Sequence, residues 1–226
     1  MDKLIIVGVS TTAKTIYEFV NKYHLYEVIG FAVDRAYLKE SEFCGIPVYA
    51  IEDLNVDSDF YLFVAMQWNR LNADRKGLYL KLKNLGYRFA NIISPHAIVN
   101  GTIEGDNCWI SDLAIVDFGA VVGSNVFVKS MALVATNTKV GSHCFIGAKS
   151  TIGGAANIGD QSFIGLNATI FDCVTIGEKC IVGAGTIVKR NIPNYCRCVV
   201  SIENTFIKQY NEDEIESKLL FAKNVR

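Results

Sequence analysis

Between residues 98 and 188 the apolar positions keep a six-residue beat. Every sixth residue from Ile98 to Val188 is Ile or Val, and only Glu104 interrupts the column. Two residues ahead of each stands a small or β-branched side chain, from Cys108, Ala114 and Ala120 through Cys144 and Ser150 to Cys180 and Thr186. Gly follows the aliphatic residue at 141, 147, 153, 159, 165, 177 and 183. A helical period of 3.6 or a strand period of 2 drifts out of phase with such a beat. Very short strands joined by tight corners keep it, with one aliphatic side chain per side pointing inward. Three sides close a coil of about 18 residues, and stacked coils bury the Ile/Val column: the hexapeptide β-helix class. About five uninterrupted coils fit between 98 and 188. The small residue fits the cramped corner, and the glycines are expected to supply its unusual torsions.

The flanks follow other periods. Lys3–Val7, Val28–Val33, Gly45–Tyr49 and Phe60–Val64 read as short strands, and Thr12–Tyr23 and Trp68–Leu85 as helices. This alternation predicts a small parallel sheet flanked by helices. The expected organisation is an α/β Rossmann-like domain over 1–92, a left-handed parallel β-helix over 93–202 and a C-terminal helix over 203–226. The charged stretch NEDEIESKLLFAKN, with one apolar stripe, suggests that last helix.

Composition removes several classes. The formal net charge of −1 gives no electrostatic reason to expect nucleic acid or an anionic membrane as partner. Three Pro and 18 Gly in 226 residues fit neither collagen nor a disordered chain. No apolar run approaches the length of a membrane span, and the start MDKLIIVGVS lacks the pattern of a signal peptide, so the expected address is the cytoplasm. Seven cysteines without a CxxC suggest reduced thiols rather than disulfides or zinc; Cys108, Cys144 and Cys180, in the small-residue slot, read as packing thiols.

Two N-terminal residues suggest ligand chemistry. The turn Gly8-Val9-Ser10-Thr11-Thr12 joins a strand to a helix, as a phosphate-cradling turn does, although it is not GxGxxG and a plain connection fits equally. Asp34 closes the second strand, where an acidic residue can bond a ribose hydroxyl or simply make a turn.

The stretches LIIVGVS, GFAVD, FVAMQWNRLNADR, NIISPHAIV, GSHCFIGAKSTIGGAANIGDQSFIGLNATI and IGEKCIVGAGTIVKRN together resemble the sialic acid O-acetyltransferase (NeuD-like) family of sugar acyltransferases, which includes N-acetyltransferases of UDP-4-amino sugars. The resemblance runs to about residue 192. It implies a homotrimer with active sites in the grooves between spirals, and acetyl-CoA or another acyl-CoA as co-substrate, with no metal. Amides at Gly154 and Ala184 would hold the thioester oxygen and pantetheine arm, and Ser10 and Asp34 would contact a sugar or nucleotide-sugar substrate. The implied activity is acylation of a sugar in surface-glycan synthesis.

The chain departs from that pattern at the base. The family's catalytic histidine falls on Thr136, its acidic partner on Asn137 and a second histidine on Phe145. Thr136 and Asn137 would instead line the acceptor end. The histidines are His24, His96 and His143. His24 reads as surface and His96 as a cap at the spiral entrance. His143, at a corner one hexad beyond Thr136, is either a solvated corner residue or a substitute base. Three converging zinc-binding histidines are not in prospect, which disfavours a carbonic anhydrase. Loss of a base removes about 10²–10⁴-fold, whereas positioning contributes about 7–11 kcal/mol. An amine acceptor therefore tolerates the loss better than a hydroxyl. The rival expectation is a catalytically impaired sugar-nucleotide-binding protein or scaffold trimer.

Overall fold

The computed structural model describes residues 1–200, so the helix expected at 203–226 lies outside the described residues. The first 90 residues form an α/β unit of β1 (Lys3–Val7), α1 (Thr11–Lys22), β2 (Glu27–Val33), β3 (Glu42–Phe43), β4 (Ile46–Ala50), β5 (Tyr61–Val64) and α2 (Ala73–Asn84). The sheet order is β3-β4-β2-β1-β5, all parallel except the short β3. Buried Leu4, Ile6 and Phe31 pack one sheet face on Ala13, Ile16 and Val20 of α1. Ile5, Val7 and Leu62 pack the other face on Tyr79 and Leu82 of α2. α2 begins later than the sequence suggests because Arg70, Leu71 and Asn72 all take positive φ, 47°, 55° and 62°, which turns the chain before the helix can start.

From Ile92 to Cys198 the chain winds as a left-handed β-helix of two-residue strands, each paired in parallel with the strand one coil away. Its three sheets have seven, six and five strands. From Ile110 to Val188 the Ile/Val column points inward, each residue at most 3% exposed, and the residue two before is buried with it. Three polar members of that second column are satisfied internally, Thr138 Oγ1 donating to Gly153 O at 2.7 Å, Ser150 Oγ to Gly147 O at 2.8 Å and Ser162 Oγ to Gly177 O at 2.9 Å, whereas the buried Thr186 hydroxyl has no partner among the described residues. The thiols of Cys108, Cys144 and Cys180 each point at a carbonyl of the next coil at 3.1–3.2 Å. Burial pushes the Cys108 and Cys144 thiols up to about 12, so these are inert packing groups.

Two details correct the sequence reading. The beat slips in the first coil: Val99 and Ile103 pack against the core, while Ile98 is 52% exposed. Partner registers there are Val99 with Val116 and Ile103 with Val122, so the inward spacing is four residues from Val99 to Ile103 and seven from Ile103 to Ile110, where the beat has six. The second correction concerns glycine. The left-handed torsion at the corners falls three residues after the inward aliphatic residue, past any Gly that follows it, on residues such as Asn125, Asn137, His143 and Ala155. The glycines serve close approach instead. A Cβ on Gly165 would lie 2.5 Å from Ala184 N, and one on Gly159 2.5 Å from Glu178 N, because coils stack backbone on backbone.

The outward residues distinguish the three faces. One carries Trp109, Phe127, Phe145 and Phe163, one coil apart, and the α/β unit covers it. Phe63 of β5 stacks on Phe127 at 5.8 Å, and Trp68 meets Phe145 at 4.8 Å. The second face, running through Ile98, Ile115, Leu133, Thr151, Thr169 and Ile187, is bordered by exposed Leu113, Phe118, Met131, Leu166 and Phe171. The third presents Lys139, Asn157 and Thr175. No helix among the described residues is long and apolar enough to cross a membrane.

Candidate functional site

A cavity of about 490 Å³ opens where β1, β2 and β5 end, the place where open parallel sheets bind ligands. Gly8, at φ 122°, turns the chain out of β1 beneath Ala65 O, 3.4 Å from where its Cβ would lie. Ser10 then caps α1, its hydroxyl accepting from Ala13 N at 3.3 Å. Asp34 leaves β2 on the opposite wall and pairs with Lys81 of α2, which raises the lysine's pKa. The structure thus brings Ser10 and Asp34 to one cavity, joined by exposed Tyr37, a residue without any motif to mark it.

The spiral's candidates occupy corners. Thr136, Gly154 and Asp172 stack on the corner after the second face, one coil apart. Thr136 is exposed, and its hydroxyl donates to Asp117 Oδ2 at 2.7 Å. That bond, with the Phe118 amide, holds the Asp117 carboxyl below its ordinary range. Asn137 is also exposed and supplies the left-handed residue of this corner. The Gly154 amide donates to Asp172 Oδ1 at 2.6 Å, so an acyl oxygen placed there must displace that carboxylate. The Ala184 amide, exposed on the corner before the second face, has no acceptor among the described residues. The two amides border opposite edges of one face, and a groove reaching both is not closed by a single spiral.

His143 is in neither of the settings expected for it. It is 7% exposed, too enclosed for a solvated corner and turned away from Thr136 into the seam between spiral and α/β unit. Its Nδ1 lies 3.0 Å from Asn125 Nδ2, and its ring meets Tyr79 of α2 edge-on at 5.6 Å. Burial, with Lys76 nearby, lowers its pKa to about 4, so the ring is neutral at pH 7. Asn125 in turn accepts from Asn107, which accepts from Val64 N at 2.7 Å. One coil further, Gln161 bonds Leu71 O and Lys76. The ladder Asn107–Asn125–His143–Gln161 repeats every 18 residues, a signal present in the sequence but hidden until the docked face was known. Next to it, Arg75 of α2 is fully buried, donating to Cys144 O at 3.0 Å over the Phe127 ring.

His24 is exposed, as expected, and exposed His96 packs edge-on against Tyr23 at 5.4 Å. Among the described residues no group of three His, Cys, Asp or Glu side chains could hold a metal ion.

Comparison with known proteins places this geometry. Residues 119–154 match the family model described as bacterial transferase hexapeptide (six repeats), and residues 155–190 match that of the hexapeptide repeat of succinyl-transferase. A search of curated proteins finds no match. Among solved structures, the acetyltransferase domain of PglB from Neisseria gonorrhoeae is similar at 24% identity and TM-score 0.75, covering 87% of this chain and 97% of that one. The same domain in complex with acetyl coenzyme A matches at 24% identity and TM-score 0.75, covering 86% and 96%. A mutant GDP-perosamine N-acetyltransferase from Caulobacter crescentus, in complex with CoA and GDP-perosamine, matches at 24% identity and TM-score 0.76, covering 88% and 94%. Residues 119–190 are therefore hexapeptide repeats of the kinds found in bacterial transferases and succinyl-transferases, set in a fold of α/β unit and β-helix that this chain shares with those acetyltransferase structures.

Proposed function

We propose that this protein is an acyl-CoA-dependent acyltransferase acting on an amino group of a nucleotide-linked sugar, in surface-glycan synthesis and in the cytoplasm. The observation that carries the reading is the pairing of two candidate sites in one chain. One is a cavity with Ser10 and Asp34 at the ends of parallel strands, and the other a hexapeptide spiral presenting the Ala184 amide. Two solved structures that share this fold contain acetyl coenzyme A, or CoA and GDP-perosamine, which supports the reading.

The working form is a homotrimer. Of the three faces, one is covered by the α/β unit and one is polar, whereas the second keeps Leu166, Ile187 and Phe171 exposed at 58%, 59% and 46%. A second copy against that face would hide this apolar surface. It would also bring Gly154 of one spiral toward Ala184 of the next, so that one acyl-CoA meets both amides. The acyl donor is acetyl-CoA or a longer thioester.

Thr136 and Asn137 line the acceptor end by hydrogen bonding, and His143 acts structurally by holding the α/β unit. The reaction then relies on positioning, with an amine that is nucleophilic once deprotonated. A hydroxyl acceptor would need a stronger base than this corner supplies. Incubating the protein with acetyl-CoA and a panel of nucleotide amino sugars, while following thiol release, tests the reading. Release that depends on one amino sugar supports it, and no release with any of them contradicts it.

A non-catalytic sugar-nucleotide-binding trimer is the alternative, and one contact favours it: the Gly154 amide is already engaged by Asp172. Calorimetry with acetyl-CoA separates the two, since a scaffold has no affinity for it and an enzyme binds in the range of about 1 μM to 1 mM.

A further inference from the structure

A second cavity, of about 170 Å³, lies between the domains and shares Thr11, Thr12 and Gln67 with the first. Thr15 and Trp68 complete the α/β side, and the opposite wall belongs to the spiral's aromatic face and includes Lys129. The Lys129 Nζ sits 3.1 Å from the centre of the Trp109 ring. Among the described residues it has no carboxylate partner and no hydrogen-bond acceptor. Desolvation lowers its pKa to about 7.

The other polar groups around this cavity point to the same chemistry. Thr12 is 7% exposed, lines both cavities, and its hydroxyl has no partner among the described residues. Trp109 is 4% exposed, and its indole N–H is buried without an acceptor. The lining contains no Asp or Glu. A half-buried ammonium kept from water with only a π face for company is costly, and an anion entering the cavity would relieve that cost. The Lys129 ammonium and the Trp109 indole N–H can only donate, and the Thr12 hydroxyl can donate as well, so an anion with several acceptor oxygens fits them. The shared wall means that it can belong to a ligand already held in the first cavity.

We propose that this interdomain cavity binds the phosphoryl groups of the nucleotide sugar, with Lys129 of the spiral as their cation. The inference rests on the nucleotide-sugar reading above and adds the residue that ties the substrate to both domains. The nucleoside occupies the larger cavity beside Asp34, and the phosphates cross Thr11 and Thr12 to reach Lys129. Binding of the phosphates then links the α/β unit to the spiral, and it aims what lies beyond the phosphates along the spiral's surface.

The test compares nucleosides with their diphosphates. Uridine, guanosine and thymidine, the diphosphates UDP, GDP and dTDP, and inorganic pyrophosphate are titrated calorimetrically into the full chain at about pH 6, where Lys129 is protonated. Lys129→Met is expected to weaken pyrophosphate and the preferred nucleoside diphosphate by about 10- to 100-fold, the scale of a hydrogen bond to a charged group. Its nucleoside affinity should stay unchanged, and Lys129→Arg should keep most of the diphosphate affinity. Equal diphosphate affinity in Lys129→Met and the unmodified protein overturns the proposal. So does equal affinity for nucleoside and diphosphate in the unmodified protein. Absence of nucleoside binding, by contrast, counts against the nucleotide-sugar reading itself. A second measurement needs no variant: at about pH 7 an amine-reactive acylating reagent should modify Lys129 ahead of ordinary lysines. Pyrophosphate should protect it, and unchanged labelling with pyrophosphate present contradicts the assignment.

Discussion

At the scale of single residues, two kinds of constraint act on the spiral, and they separate cleanly. Glycines after the inward aliphatic residue are held by steric contact with the next coil, not by torsion. Gly165→Ala would place a Cβ 2.5 Å from Ala184 N, an atom of the backbone that cannot rotate away. We expect a loss of about 1–3 kcal/mol in urea unfolding, as for an overpacked core; an unchanged midpoint would show that the coils can part cheaply. His143 carries the second constraint. Its folded pKa, about 4, lies below the ordinary 6.5, so the unfolded chain takes up the proton first as pH falls. The stability contributed by the neutral ring is complete above about pH 6.5 and is lost as pH falls toward 4. His143→Gln should therefore flatten the pH dependence of stability between about pH 6.5 and 4, and an identical slope in both proteins would refute the buried neutral ring.

At the scale of elements, the spiral was legible because its beat is a direct consequence of its geometry. One inward side chain per side and three sides per coil leave a column that no helix or hairpin can reproduce. The boundaries of the α/β strands were legible to within a residue or so, since Lys3–Val7 and Val28–Val33 are runs of buried apolar residues. The start of α2 was not, because three successive positive φ values at Arg70, Leu71 and Asn72 have no glycine to announce them. Less visible still was which face the α/β unit covers. The period of six marks the inward residues, but docking is written at a period of 18, in the outward residues Trp109, Phe127, Phe145 and Phe163. Reading His143 as a solvated corner or a groove-facing base followed from that gap: its neighbours in space are Asn125 and Tyr79, 18 and 64 positions away. The aromatic column makes a prediction of its own. Phe127, 1% exposed, is packed between Phe63, Trp109 and Arg75. Phe127→Ala should cost about 3–5 kcal/mol and split unfolding into separate transitions for α/β unit and spiral. A single transition at the original midpoint would mean that the column is not what joins them.

At the scale of the whole molecule, the account depends on what covers the second face. In a lone chain Leu113, Leu166 and Ile187 stay more than half exposed, in a line flanked by the corners that carry Gly154 and Ala184. Light scattering on the full chain should give the mass of three copies. Leu166→Glu, which sets a charge on that face, should give a single copy with an unchanged circular dichroism spectrum and little acyl transfer. A monomeric unmodified protein would leave the two amides on separate edges with nothing to bridge them. The site residues were only partly legible for the same reason. Ser10 and Asp34 are tied to the ends of strands, where sequence order and spatial order agree, and they meet in one cavity. The proposed groove is a relation between copies, and Lys129 lines a cavity shared with the α/β unit, so neither follows from spacing along one chain.

The central claim is that this chain joins an acyl group to a sugar carried on a nucleotide. Mass spectrometry of nucleotide amino sugars after incubation with the protein and trideuterated acetyl-CoA addresses it most directly. The account predicts that one of those sugars gains a single deuterated acetyl group at its amine, and that Asp34→Asn and Leu166→Glu both suppress the gain. Nucleotide sugars recovered unchanged across the panel, from a protein that shows no affinity for acetyl-CoA, would contradict it.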